Sequence, residues 1–175
     1  MKYAFAVLAA TLFAGSATAA DAPANQQIEL KNSTGGVIGS ATLTDAPHGV
    51  LLRLQVKDLA PGWHGLHFHE KGDCSKADFT SAGAHVHGKP TLVHGLLNPD
   101  ANEAGDLPNL YVAADGTGNA EVFSTSVALK AAAGREHLAD NDGSAIVIHA
   151  NADDHKAQPI GGAGARIACG VIAGG

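Results

Sequence analysis

Gly49-Val50-Leu51-Leu52-Arg53-Leu54-Gln55-Val56-Lys57 is the stretch whose reading decides the fold class. Leu52, Leu54 and Val56 alternate with Leu51, Arg53 and Gln55. Side chains of a strand point by turns to its two faces, so this is the rhythm of a half-buried strand. Working outward from it, short segments bounded by turn residues recur along the chain, aromatics are only 5% of residues, and glycines number 22. Strands are expected at 27–32, 36–44, 64–69, 109–115, 119–127, 144–150 and 166–172, with 49–57 the third of eight. Ala128 to Leu138 is expected to form a short helical turn, weakened by Gly134. No amphipathic helix of useful length is present, so the chain is expected to be all-β, an eight-stranded Greek-key β-sandwich or flattened barrel. Two connections, 70–108 and 150–165, are too long for hairpins. Long loops in a compact domain are functional or disordered, and a metal and a disulfide would pin these two as functional loops.

The first residues indicate where the protein works. Lys2, an apolar stretch from Ala4 to Gly15 and the small-residue pattern Ala17-Thr18-Ala19 have the layout of a secretory signal peptide. Cleavage after Ala19, or after Ala20, removes residues 1–19 and leaves 20–175 as a single domain, expected in the periplasm or secreted. The apolar part is shorter than the roughly 20 residues of a spanning helix, and no membrane association is expected after signal removal. In an oxidising compartment the two cysteines, Cys74 and Cys169, read as one disulfide closing a long loop; two buried free thiols are the other reading. The formal charge is -6, and loss of Lys2 takes it to -7. Clustered Lys and Arg are absent, which argues against nucleic acid as a partner, and an anionic substrate would need a local positive patch.

Gly65-Leu66-His67-Phe68-His69-Glu70 places two imidazoles two residues apart in an apolar run. In a strand both emerge on one face while Leu66 and Phe68 go to the other, so one strand supplies a pair of metal ligands. Imidazole suits copper and zinc, and a carboxylate such as Asp106 can complete a zinc sphere. Further histidines follow at His85, His94 and His149. His64, displaced by three from His67, is expected to be structural; His48, His137 and His155 lack a motif and are expected at the surface. His69-Glu70-Lys71-Gly72-Asp73 lacks the second histidine of a helical zinc-protease motif. Gly161 to Gly164 follows no strand-to-helix switch, so a phosphate loop is not expected.

Gly65-Leu66-His67-Phe68-His69-Glu70-Lys71-Gly72-Asp73-Cys74, Ser81-Ala82-Gly83-Ala84-His85, Gly105-Asp106-Leu107-Pro108 and Gly164-Ala165-Arg166-Ile167-Ala168-Cys169-Gly170-Val171-Ile172 resemble the bacterial exported copper/zinc superoxide dismutases. The likeness covers nearly all of the chain beyond the signal. It implies that His67, His69, His85 and His149 bind copper, that His85 bridges to zinc, and that His94 and Asp106 are zinc ligands. It also implies that Asp153 hydrogen-bonds one copper and one zinc histidine, that Arg166 guides superoxide, and that His85 supplies a proton. One position departs from the pattern: Glu103 stands where a third zinc histidine is expected, three residues before Asp106. A carboxylate is an acceptable zinc ligand, so the expected zinc set is His85, His94, Glu103 and Asp106, with His87 nearby as a substitute.

The leading reading is therefore an oxidoreductase converting superoxide to dioxygen and hydrogen peroxide through a copper redox cycle, with zinc in a structural site. A second reading is a copper-binding or copper-buffering protein whose altered zinc site has cost it the activity; a pure binder has no need of Arg166. A third, an adhesion sandwich with adventitious histidines, does not explain why they sit at strand ends and in the two long loops. Relatives of this kind include monomers and homodimers, and no exposed apolar stripe is legible to choose between them.

Overall fold

The structure, a computed structural model, describes residues 24–175. The expected signal peptide at 1–19 lies outside the described residues. Strands β1 (Asn25–Asn32), β2 (Val37–Ala46) and β3 (Gly49–Val56) form an antiparallel meander, as the alternation in 49–57 requires. Leu52, Leu54 and Val56 are buried while Arg53 and Gln55 are exposed. The chain then runs through β4 (Gly62–His64), β5 (Leu66–His69), β6 (Leu110–Val112), β7 (Gly118–Ser124), β8 (Val127–Ala128), β9 (Glu136–His137), β10 (Ser144–His149) and β11 (Arg166–Ile172).

Nine of these make one sheet in the order β4-β6-β7-β3-β2-β1-β11-β10-β5. The two outermost members, β4 and β5, are separated in sequence by Gly65 alone. The expected strand 64–69 is thus a segment that changes partners at Gly65, pairing with β6 on one side and β10 on the other. Counting that segment once gives eight strands and a nearly closed Greek-key barrel. Inside it lie Leu30, Leu43, Leu52, Leu54, Leu66, Phe68, Leu110, Ile146, Ile148 and Ile172, all buried. Each such large side chain contributes about 1.5–3 kcal/mol by leaving water.

The expected helical turn at Ala128 to Leu138 is not formed. Val127 and Ala128 pair in parallel with Glu136 and His137, and Leu138 donates its backbone N–H to the Ala128 carbonyl at 2.9 Å. Burial of Val127, Ala128, Leu129 and Leu138 outweighs the local helical preference of the alanines.

β10 is buried on both faces. Ile146 and Ile148 enter the barrel, while Ala145 and Val147 meet Phe79, Ala82, Cys74 and Cys169 in a second small core outside it. A disulfide joins Cys74 to Cys169, with the Cα atoms 5.9 Å apart. It fastens the first part of loop 70–108 to β11. The rest of that loop runs along the free edge of β5. Phe68 donates its N–H to the Gly105 carbonyl and accepts from the Val86 N–H, both at 2.9 Å. A Cβ at Gly105 would overlap the Phe68 carbonyl, so only glycine allows this approach. Trp63 and Tyr111, a cross-strand pair on β4 and β6 with ring centroids 4.9 Å apart, stay 57% and 53% exposed. Among the described residues no helix is long and apolar enough to cross a membrane.

Candidate metal centre

His67 and His69 lie on the outer face of β5, fully buried beneath the loops. Register does the rest. His67 is opposite Val147 and Asp106, and His69 is opposite Ala145 and His85. A register shift after Ile148 sets His149 opposite Arg166 at the start of β11. Two strands and one stitched loop edge thereby bring His67, His69, His85 and His149 together, with ligand atoms within 4.8 Å of one another.

Each of the four rings has one nitrogen committed. His67 donates from Nε2 to Asp153 Oδ2 (2.8 Å), His69 from Nδ1 to the Gly83 carbonyl (3.0 Å) and His149 from Nδ1 to the Gly164 carbonyl (3.1 Å). His85 turns Nδ1 to Glu103 Oε2 at 2.8 Å and Asp106 Oδ1 at 3.0 Å. The opposite atoms, His67 Nδ1, His69 Nε2, His85 Nε2 and His149 Nε2, are buried without a hydrogen-bond partner. Buried polar atoms are almost always paired, so four orphans facing one another are the signature of lone pairs reserved for a cation. The donor set fits copper: neutral imidazoles suit it, and the ring contacts fix which nitrogen is free.

A second cluster shares His85. His94 Nδ1 lies 3.1 Å from Glu103 Oε2 and 3.0 Å from Asp106 Oδ1. Asp106 Oδ2 accepts the Gly95 N–H at 2.7 Å. Two imidazoles and two carboxylates, their side chains all buried, form a donor set that zinc accepts. His87 is not among them; its Nδ1 sits 2.7 Å from the His85 carbonyl and 3.8 Å from Glu70 Oε2.

Asp153 lies between the clusters, Oδ2 on His67 and Oδ1 on His94 Nε2 at 3.0 Å. Arg166, half-buried, donates from Nη1 to the Phe79 carbonyl and from Nη2 to the Gly83 carbonyl, both at 2.6 Å. The Gly83 carbonyl therefore orients both Arg166 and His69. His64 lies between the His149 carbonyl (2.7 Å) and the Ala60 carbonyl (2.8 Å).

Electrostatics divide the histidines into two groups. Burial, opposed by the Asp153 hydrogen bond, lowers His67 to about 4. Burial and the neighbouring His67 lower His149 to about 3, and burial with the His85 and Arg166 charges holds His69 well below 6.5. These three stay neutral, as ligands must. His94 goes the other way: burial opposes its charge, but hydrogen bonds to Asp106, Asp153 and Glu103 raise it to about 11. His85 is raised for the same reason by Asp106 and Glu103. Against burial, their histidine partners hold Glu103, Asp106 and Asp153 below the ordinary carboxylate range.

Several supporting residues have no sequence signature. Asn109 accepts the Asp153 N–H at 2.9 Å and donates to its carbonyl at 2.8 Å. Gln158 does the same for His94, with both bonds at 2.9 Å. His155 and His137, expected at the surface, are half-buried and anchored, because Asn109 and the Leu129 carbonyl reach their rings. His48 is exposed.

The family model described as copper/zinc superoxide dismutase (SODC) matches residues 37–172. The chain belongs to that family. As a copper/zinc superoxide dismutase it is an enzyme whose cofactors are copper and zinc. It is 65% identical over 143 residues to a copper/zinc superoxide dismutase of Caulobacter vibrioides, covering 82% of each chain. It is 44% identical to superoxide dismutase [Cu-Zn] 2 of Aquifex aeolicus, covering 82% of this chain and 84% of the relative. Among solved structures, a superoxide-dismutase-like protein of Bacillus subtilis superposes with a TM-score of 0.77 at 36% identity, over 83% of this chain and 97% of that one. The copper/zinc superoxide dismutase of Brucella abortus gives 0.68 at 28% identity, over 85% and 99%. The copper-buffering alternative is not favoured by these likenesses.

Proposed function

We propose that His67, His69, His85 and His149 hold the copper of this superoxide dismutase, and that His85, His94, Glu103 and Asp106 hold its zinc. The observation that carries this reading is the set of four buried, unpartnered imidazole nitrogens turned to one point. Copper bound there supplies one-electron exchange with superoxide in both directions, so that two superoxide anions and two protons leave as dioxygen and hydrogen peroxide.

The chain's own groups do the rest. Arg166 draws in and orients the anion; it stands opposite His149 in the β10–β11 register, and its charge helps lower His69 and His149, which supports a role beside the copper set. Its two carbonyl contacts hold the guanidinium at one place in a chain of net negative charge. His85 holds a proton at Nε2 in one half of the cycle and gives it to the departing peroxide, while its Nδ1 remains turned to Glu103 and Asp106. Asp153 keeps the His67 proton on Nε2 and so keeps Nδ1 free. We place the enzyme in the periplasm or outside the cell, as a domain of residues 20–175 freed from a signal at 1–19. The disulfide supports that compartment.

Metal analysis of variants tests the assignment. His149→Ala should lose copper and keep zinc, and Asp106→Ala should lose zinc first. Copper content unchanged by His149→Ala would overturn the copper set. Activity restored by copper loading and inhibited by cyanide separates the enzyme from a buffer.

A further inference from the structure

We propose that His155 is a positioning residue for the reaction, holding the carboxylate of Asp153 on its two histidines through its backbone N–H at Oδ1 and the electrostatic pull of its Nδ1–H, 3.5 Å from Oδ2. The orientation of Asn109 fixes the argument. Asp153 donates its backbone N–H to Asn109 Oδ1, so the amide nitrogen of Asn109 is the group that faces the Asp153 carbonyl and, at 3.3 Å, His155 Nε2. An amide NH2 only donates; Nε2 is therefore the accepting nitrogen of the ring, and the His155 proton sits on Nδ1. That Nδ1 is buried without a hydrogen-bond partner and lies 3.5 Å from Asp153 Oδ2.

The backbone agrees. His155 has φ 59°, in the left-handed region, which is strained for a residue other than glycine. That conformation persists only where surroundings over-determine it, and here the His155 N–H donates to Asp153 Oδ1 at 2.6 Å. Backbone and ring of one residue thus address both oxygens of the carboxylate. Asp153 Oδ2 meets His67 Nε2 and His155 Nδ1, and Oδ1 meets His94 Nε2 and the His155 N–H. If the carboxylate turned, His67 and His94 would lose the contacts that fix which of their nitrogens is free. The hydrogen bonds and ion pairs of His155 go to Asp153, Asn109 and Leu97, so it acts on the two clusters through Asp153.

The inference rests on the proposal that His67 and His94 are metal ligands. The test uses metal-loaded full-length protein and two variants that tolerate a left-handed backbone. His155→Gly removes the donor without strain; His155→Asn keeps an N–H donor near the Nδ1 position. Zinc loss to a chelator and the visible absorption of the copper are read for each. Expected is about tenfold faster zinc loss and a shifted copper band for His155→Gly. His155→Asn should restore both to within about twofold of the parent. Unchanged zinc loss and copper band in His155→Gly would overturn the inference, as would a His155→Asn variant as impaired as His155→Gly. If the parent itself takes up no copper or zinc, the ligand assignment fails instead, which is a different result.

Discussion

Glu103 brings a second carboxylate to the cluster proposed for zinc, its oxygen 2.8 Å from His85 and 3.1 Å from His94. Glu103→Ala should lower zinc affinity by at least about tenfold with copper retained, measured by metal content after dialysis against a chelator; equal zinc in both proteins would remove Glu103 as a ligand. Arg166 is the cation we propose to draw an anion in against a net charge of -6. Arg166→Glu should cut the second-order rate by about 10- to 1000-fold and flatten or invert its dependence on salt, since encounter with an anion is what the charge assists. An unchanged rate in stopped-flow decay of superoxide would dismiss it. At this scale the sequence was partly legible. His67 and His69 declare themselves by their spacing of two, and Glu103 by standing out of pattern. Asn109, Gln158 and the carbonyls of Gly83 and Gly164 do not, because a backbone carbonyl has no residue signature and an amide clamp is made by distant segments meeting. The anchoring of His155 is hidden for the same reason: Asn109, whose amide reaches its ring, lies 46 positions away.

The loop that precedes His85 is an element in its own right, built on the disulfide and on Phe79 and Ala82 against Ala145 and Val147. It delivers the two carbonyls that hold Arg166. Replacing Cys74 and Cys169 by alanine should cost about 4 to 5 kcal/mol, the chain-entropy value for a span of 95 residues, measured by denaturant unfolding. A change under about 1 kcal/mol would mean that the small core alone fixes the loop. In the second long loop, Gly161 has φ 59°, and a Cβ there would overlap Asp153 Oδ1. Gly161→Ala should therefore displace the carboxylate and release zinc, although no ligand has been touched; zinc retention equal to that of the parent would show that the loop can yield. The strands were readable because alternation reports one-sided burial directly, as in 49–57. What was not readable was the exchange of partners at Gly65, or the β8–β9 pair in place of a helical turn, since both are set by tertiary neighbours rather than by local pattern.

For the whole molecule the buried imidazoles are a liability without metal. His67 and His149 protonate in the fold only near 4 and 3, against 6.5 when unfolded. Between pH 6.5 and 4 the unfolded chain binds protons that the fold refuses, so stability falls as pH falls. At about 1.4 kcal/mol per pH unit, His67 alone removes about 3 kcal/mol by pH 4. Asp106 and Asp153, depressed in the fold, add to the loss at still lower pH. His94, raised to about 11, is protonated in the fold; its contribution is complete below 6.5 and disappears as pH rises toward 11. The chelator-treated protein should therefore melt highest near pH 6.5 and lower on both sides, with the acid side recovered by metal. A melting temperature independent of pH from 4 to 9 would contradict these assignments.

Gly65 gives the barrel a buckle. Residues 62–64 end one margin of the sheet and residues 66–69 the other, so a single peptide bond region converts a ribbon into a ring. A nick placed there would leave every other strand neighbour in place, yet it would let the ring spring open at the very rung that carries His67 and His69. An ion held by His67, His69 and His149 would tie β5 only to its neighbour β10, so a chelating agent would loosen that rung and leave the buckle itself fastened.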